Sequence, residues 1–265
     1  MVGTKNMKEL SLERDFRGSF PVRTRYAILS SPRSGSTLLG RMLFETRMAG
    51  DPIEYLNRHL LAIERERTGK ENLTYGEFLK SMEPRRTSEN GMFGMQIHYS
   101  QFLAAFASNQ VNEAMKRFVF GFDKLIWVRR RDRLRQAVSF AIARRTNAWS
   151  SEDSQVNSIH HPSQIHPFEC VQALSVVCQN DFGWGRLIKT LNLDACTIWY
   201  EDLAENYDEQ CANALRHLRL DASVTKIPEP PIRRQASGLN EQVLNQLLAY
   251  LGLPENSSSS LLNSC

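Results

Sequence analysis

Residues 30–37 read Ser-Ser-Pro-Arg-Ser-Gly-Ser-Thr, after the apolar run Tyr26–Leu29 and before helically spaced Leu38, Leu39, Met42 and Leu43. A turn from a strand end into a helix N-terminus exposes backbone N–H groups without intrahelical partners, and the helix dipole adds positive potential there. Ser34, Gly35, Ser36 and Thr37 let the backbone approach an anion closely, and the hydroxyls of Ser36 and Thr37 add donors. The phosphate-loop pattern G-x-x-x-x-G-K-[ST] fails at two positions, with Ser30 at the first Gly and Ser36 at the Lys. That Lys answers the concentrated charge of β- and γ-phosphates, which also require Mg²⁺. A sulfuryl group carries less charge and demands no metal clamp, and the planar guanidinium of Arg33 suits its oxygens with two fixed hydrogen bonds. The bland alternative for the same residues is a Ser N-cap and a tight turn.

A second basic feature follows the apolar run KLIWV (124–128): RRRDRLR (129–135) holds five Arg in seven positions. Such a run is either a solvated face or, at the carboxyl end of a strand where open α/β sheets bind ligands, a second anion site. Asp51-Pro52-Ile53-Glu54 has the look of a capping box, with an N-cap Asp and Pro at the first helical position. His160, His161 and His166 share one loop, but no carboxylate or thiol stands at ligand spacing with them, so no metal is expected. Trp149 and Trp184 suit either a sugar-stacking platform or the core.

The elements that must position these residues alternate between short strands and helices. Strands are expected at Tyr26–Leu29, 92–99, 124–128 and 197–200. Helices are expected over Thr37–Arg47, His59–Glu66, Tyr75–Met82, Gln101–Ala107, Pro167–Leu191, Glu209–Leu220 and Asn240–Leu251, with RRRDRLRQAVSFAIARR also turning helical. Pro167–Leu191 is read with an interruption at Gly-Trp-Gly, 183–185. The implied fold is α/β: a P-loop-like three-layer sandwich whose central parallel sheet is flanked by helices. Residues 1–22 form a lead-in, 23–254 one domain, and the low-complexity tail 255–265 is expected to be disordered.

A hydrophobic fraction of 42%, a charged fraction of 23% and a net charge of +4 fit a soluble globular chain with a real core. That charge suits anionic small molecules and is too mild to argue for nucleic acid. The five cysteines, Cys170, Cys178, Cys196, Cys211 and Cys265, form no CxxC pair, so neither a disulfide framework nor a zinc ribbon is indicated. The polar start of the chain lacks a signal-peptide core and no 18-residue apolar window exists, which points to a cytoplasmic protein without a membrane span.

YAILSSPRSGSTLLGRML followed by AGDPIEYL resembles the bacterial sulfotransferases that take sulfuryl from 3′-phosphoadenosine-5′-phosphosulfate (PAPS), with similar blocks from about residue 26 to 236. The resemblance implies a P-loop-like fold, PAPS as donor without a metal, a carbohydrate or glycolipid acceptor, and a homodimer. It assigns the 5′-phosphosulfate to Arg33, Ser34, Gly35, Ser36 and Thr37. Its R-x-D…Q-A-V-S block puts a 3′-phosphate Arg at Arg130 and a Ser at Ser139, while the wider sulfotransferase spacing would select Arg131. Its late R-Q-A block falls on Arg234, Gln235 and Ala236, returning Arg234 to the nucleotide. Its G-x-P-x-E-[YF] block makes Glu54 the general base, in competition with the capping role, and Arg33 its partner in catalysis. His98 is the reserve base. The family block G-x-K-L-x-W departs here, with Gln96 for the Lys and Tyr99 for the aromatic. The competing readings are a P-loop small-molecule kinase, which would need the missing Lys, and a basic nucleic-acid-binding protein, which rests on the Arg run alone.

Overall fold

The computed structural model describes residues 8–149, 161–221, 223, 225–230 and 238–254. Four strands, β1 (Thr24–Ser30), β2 (Met92–His98), β3 (Lys124–Arg129) and β4 (Ala195–Trp199), form one parallel sheet in the order β2-β1-β3-β4. Because the chain leaves β1 to one side for β2 and returns to the other side for β3, a topological switch point opens at the carboxyl ends of β1 and β3. Open α/β sheets bind ligands in that crevice.

Side chains alternate across the sheet as strand geometry requires. Tyr26 and Ile28 of β1, Ile126 and Val128 of β3 and Ile198 of β4 pack on one face against α1 (Ser36–Glu45) and α9 (Tyr207–His217). Ala27, Leu29, Phe93, Met95, Ile97 and Leu125 face the other way. They meet α2 (Arg58–Thr68), α3 (Tyr75–Arg86), α4 (Tyr99–Ala105), α5 (Glu113–Phe120) and the carboxyl half of α7 (Pro167–Thr190). A third cluster joins α6 (Arg133–Thr146), the amino half of α7 and α10 (Gly238–Tyr250) through Val138, Ala173, Leu247 and Leu248. The short helix α8 (Tyr200–Glu205) follows β4 directly. Both sheet faces are therefore covered, as the alternating pattern implies.

Three local expectations change. Helix α5 and helix α8 carry no counterpart in the sequence reading. Helix α7 runs unbroken through Gly183-Trp184-Gly185, because these glycines serve close packing. A Cβ on Gly183 would stand 2.3 Å from the Tyr99 ring, and one on Gly185 would stand 3.1 Å from the Trp127 ring. Trp184 is fully buried, stacked on Phe102, so it belongs to the core and offers no sugar platform.

Among the described cysteines all four are free thiols, and burial pushes Cys170 and Cys211 up to about 12. Cys265 and the tail 255–265 lie outside the described residues, as do residues 1–7 of the lead-in. Among the described residues, no helix is long and apolar enough to cross a membrane.

The packing at Gly183 inverts an ordinary expectation. Gly→Ala inside a helix normally gains about 1 kcal/mol in propensity. Gly183→Ala is expected instead to lower the urea midpoint, because the Tyr99 ring blocks the methyl; an unchanged or raised midpoint would contradict the close approach.

Candidate active site

The carboxyl end of β1 enters a five-residue turn, 31–35, before α1 begins. Arg33 (φ 64°) and Gly35 (φ 95°) both adopt left-handed backbone. Only Gly does so without cost, and a Cβ on Gly35 would also strike the Tyr200 ring at 2.7 Å. The Gly35 carbonyl receives the N–H groups of Leu38 and Leu39, so the N–H groups of Ser36 and Thr37 precede the intrahelical ladder. No acidic residue and no side-chain cap occupies the first turn of α1. The Ser34 side chain is fully buried, and its Oγ finds no hydrogen-bond partner among the described residues. A buried hydroxyl without a partner, beside a helix N-terminus, fits an oxyanion that would accept from it.

Helix α6 braces this turn. Gln136 Nε2 donates to Ser31 Oγ at 2.8 Å and to the Pro32 carbonyl at 2.7 Å. Arg33 Nε donates to Ser139 Oγ at 3.0 Å, and its guanidinium also donates to the Trp149 carbonyl. Arg33 and Ser139, assigned from sequence to opposite ends of a nucleotide, therefore touch. The Arg33 side chain thus reaches α6, so the residues expected at two separate anion sites adjoin.

The arginine run divides by partner. Arg129 and Arg133 both grip Asp181 of α7, at 2.7 and 2.9 Å. Arg131 makes a bidentate pair with Asp202, at 2.5 and 2.8 Å, on the exposed rim. Arg135 pairs with Asp132 and Glu241. Arg130 alone of the five contacts the anion-binding turn: its Nη1 lies 3.5 Å from the Arg33 carbonyl and its guanidinium sits 4.5 Å above the Tyr200 ring. Between the two arginines left open by spacing, the geometry thus separates Arg130, at the turn, from Arg131, which faces Asp202. Tyr200, pressed between Gly35 and Arg130, is a site residue that sequence reasoning missed. Its only signal was its place at a strand's carboxyl end in TIWY. Arg234 lies outside the described residues.

Glu54 reaches the same end of the sheet by another route. Ile53 makes a parallel bridge with Met95, and the Gln96 N–H donates to the Ile53 carbonyl at 2.8 Å, so residues 52–54 run along the outer edge of β2. The capping-box alternative fails. Asp51 is fully buried and takes Arg14 and Arg86 as ion partners, while Asn57 caps α2 through the His59 N–H at 3.0 Å. Glu54 is left outside any helix, with its carboxylate directed at polar groups. Its Oε2 accepts from Gln101 Nε2 at 2.7 Å and Asn57 Nδ2 at 3.3 Å, and its Oε1 lies 3.5 Å from His98 Nε2. Gln96, at the position of the family Lys, donates to the Pro52 carbonyl at 2.7 Å and packs on Gly40. It holds the Glu54 segment to the sheet, and it fills the space close to α1 where the family pattern puts a charge.

The histidine loop serves local structure. His161 and His166 cap a short 3₁₀ turn and α7 through Ser163 and Phe168 N–H groups, at 3.3 and 3.2 Å. His160 lies outside the described residues. Among the described residues no group of three His, Cys, Asp or Glu could hold a metal ion.

A parallel sheet with a strand-to-helix turn and the Arg130 guanidinium at its switch point, and with the Glu54 carboxylate on the adjacent edge, is an α/β arrangement of the P-loop-like kind. The chain belongs to the Stf0 sulphotransferase family, whose family model matches residues 25–246. It is 23% identical over 250 residues to the trehalose 2-sulfotransferase of Mycolicibacterium smegmatis, covering 83% of this chain and 92% of that protein. Two solved structures also align. The sulfotransferase domain of the Synechococcus PCC 7002 olefin synthase is 17% identical, with a TM-score of 0.45, over 91% of this chain and 98% of that one. A sulfotransferase from Alicyclobacillus acidocaldarius is 12% identical, with a TM-score of 0.46, over 88% and 97%.

The Asp51 site makes a stability prediction. Asp51→Asn removes the carboxylate that Arg14 and the fully buried Arg86 share, leaving Arg86 with Asp15 at 2.8 Å, and is expected to cost about 3–5 kcal/mol in chemical denaturation. A loss below about 1 kcal/mol would show that the pairs are replaced by water or by Asp15.

Proposed function

We propose that this sulfotransferase transfers the sulfuryl group of PAPS to a carbohydrate hydroxyl, with Glu54 as the general base. The observation that carries this reading is the convergence of the turn 31–35, the Arg130 guanidinium and the Glu54 carboxylate on the carboxyl edge of a single sheet. Ser34, Gly35, Ser36 and Thr37 offer the donor backbone N–H groups and hydroxyls. Arg33, Arg130 and Ser139 surround the neighbouring oxyanions, and Tyr200 supplies a flat aromatic wall beside them. Arg234 belongs to the same proposal by family analogy only.

In the transfer, the acceptor oxygen attacks sulfur in line with the departing phosphate. Charge passes from the sulfuryl–phosphate bridge onto the leaving nucleotide. Preorganised donors aimed at that charge are usually the largest single catalytic effect, and here they are the α1 N-terminus and Arg33. Glu54 removes the acceptor proton as the bond forms. The carbohydrate acceptor is supported by the similarity to a trehalose 2-sulfotransferase, so trehalose is the first acceptor to test.

Calorimetry with adenosine 3′,5′-bisphosphate and transfer of [³⁵S] label from PAPS to trehalose and a glycan panel test this directly. Arg33→Ala is expected to abolish transfer, and Glu54→Gln to bind the bisphosphate normally without turnover. Arg130→Ala is expected to weaken bisphosphate binding by about tenfold or more, whereas Arg131→Ala changes it by less than about twofold. No heat with the bisphosphate from folded protein, or wild-type turnover by Glu54→Gln, would refute the reading.

A further inference from the structure

We propose that His98 is the positioning residue of Glu54 and receives, through Glu54, the proton taken from the attacking hydroxyl. This rests on the reading of Glu54 as the base. The imidazole has a polar neighbour at each edge: Nδ1 lies 2.9 Å from Ser30 Oγ, within hydrogen-bond distance, and Nε2 lies 3.5 Å from Glu54 Oε1. Ser30 and His98 are register partners on adjacent parallel strands, so their side chains share one sheet face. Ser30 is fully buried and His98 is 8% exposed. The contact is therefore set by strand pairing rather than by a flexible surface rotamer.

The surrounding groups define what each nitrogen does. From β1 the imidazole meets the neutral Ser30 hydroxyl, and from the 50–57 segment the Glu54 carboxylate. From α4 the Gln101 amide oxygen accepts the His98 backbone N–H at 3.3 Å, while the amide nitrogen of the same side chain donates to Glu54 Oε2. Gln101 thus ties the base to the backbone of the histidine. With Nδ1–H donating to Ser30 Oγ, Nε2 presents its lone pair toward Glu54 Oε1.

The proton path balances in that tautomer. As the acceptor oxygen bonds to sulfur, its O–H bond breaks. The bond from sulfur to the donor's phosphate oxygen breaks too, and its electron pair leaves on the phosphate. The acceptor proton passes to Glu54 Oε1 and then to His98 Nε2. The product is an imidazolium whose two N–H groups face a hydroxyl oxygen and a carboxylate, both acceptors, so neither is buried without a partner.

Wild type, His98→Ala, His98→Gln and Ser30→Ala are to be compared by calorimetry with adenosine 3′,5′-bisphosphate. Turnover is read as [³⁵S] transfer from PAPS to trehalose and as release of [³⁵S]sulfate to water, in which water takes the place of the sugar hydroxyl at the same base. Bisphosphate affinity is expected to stay within about twofold of wild type in both His98 variants, and kcat to fall about 10²-fold with the donor KM unchanged. Added imidazole is expected to recover about tenfold of the activity of His98→Ala and none in His98→Gln, whose side chain fills the space. Ser30→Ala, which keeps the ring and loses its Nδ1 partner, is expected to lose about tenfold in kcat. Wild-type kcat in a His98 variant that binds the bisphosphate, or a loss in His98→Ala that imidazole does not recover, overturns the role of His98. A wild-type chain that binds no bisphosphate, or a fully active Glu54→Gln, overturns the reading beneath it instead.

Discussion

The carboxyl end of β1 sets the terms for the rest of the molecule. Where that strand stops, its polar groups are buried, and buried backbone and hydroxyl groups must find partners. Three elements supply them. Trp184 of α7 donates to the Ser30 carbonyl at 3.1 Å, His98 of β2 bonds the Ser30 hydroxyl, and Gln136 of α6 holds Ser31 and Pro32. The Tyr200 ring, at the start of α8, packs closely against Gly35. Each of these side chains is positioned by its own packing, so the turn inherits its rigidity from both sheet faces and the outlying helical cluster. What remains of the turn's capacity, the α1 N-terminus and the buried Ser34 hydroxyl, faces outward chemistry rather than internal structure.

Electrostatics at this edge is specific rather than diffuse. Five arginines in seven positions could form a featureless basic surface, yet Asp181, Asp202, Glu241 and Asp132 take four of them, and Glu201 lies 3.9 Å from the fifth, Arg130. Asp181, Asp202 and Glu241 come from α7, α8 and α10, so most of these pairs tie the run to other elements, while Asp132 caps α6 and pairs locally with Arg135. Surface pairs such as Arg131–Asp202 contribute little to stability. Their consequence is directional: they tie those guanidiniums to other elements, while Arg130 sits at the turn beside Glu201. A diffuse polyanion such as nucleic acid would meet mostly paired charge.

The strands and the turn between β1 and α1 were legible because their signals are local. KLIWV and YAIL are apolar runs of strand length, and Ser-Gly-Ser-Thr before a helical spacing is a strand-to-helix turn whatever surrounds it. The errors share a different origin. Gly-Trp-Gly reads as a helix break by propensity, and only the neighbouring Tyr99 and Trp127 rings reveal that the missing Cβ atoms make room for packing. Asp51-Pro52 reads as a cap, and only Arg14 and Arg86, 37 and 35 residues away, show that its carboxylate is committed elsewhere. The link from Glu54 through His98 to Ser30 spans three separate stretches and exists only once strands β1 and β2 are paired in register. Local pattern fixes element type, while the partners of polar side chains are set by topology.

The ion pairs at Asp51 show what such long-range commitments accomplish. Bringing a carboxylate and the Arg86 guanidinium to complete burial costs several kcal/mol of solvation per ion, and their attraction only roughly offsets it. Well-packed apolar residues would stabilise the same volume at least as well. The network's distinct contribution is geometric. Asp51 takes Arg14 from the amino-terminal segment and Arg86 from the end of α3, and its carbonyl receives the Tyr55 hydroxyl at 2.8 Å. Gln96 holds Pro52 between them. The backbone on both sides of Glu54 is therefore pinned by contacts that water or an apolar side chain could not reproduce. A carboxylate outside any helix or strand is thereby held at the sheet edge as firmly as one on a regular element, and the amino-terminal segment becomes part of the apparatus that orients it.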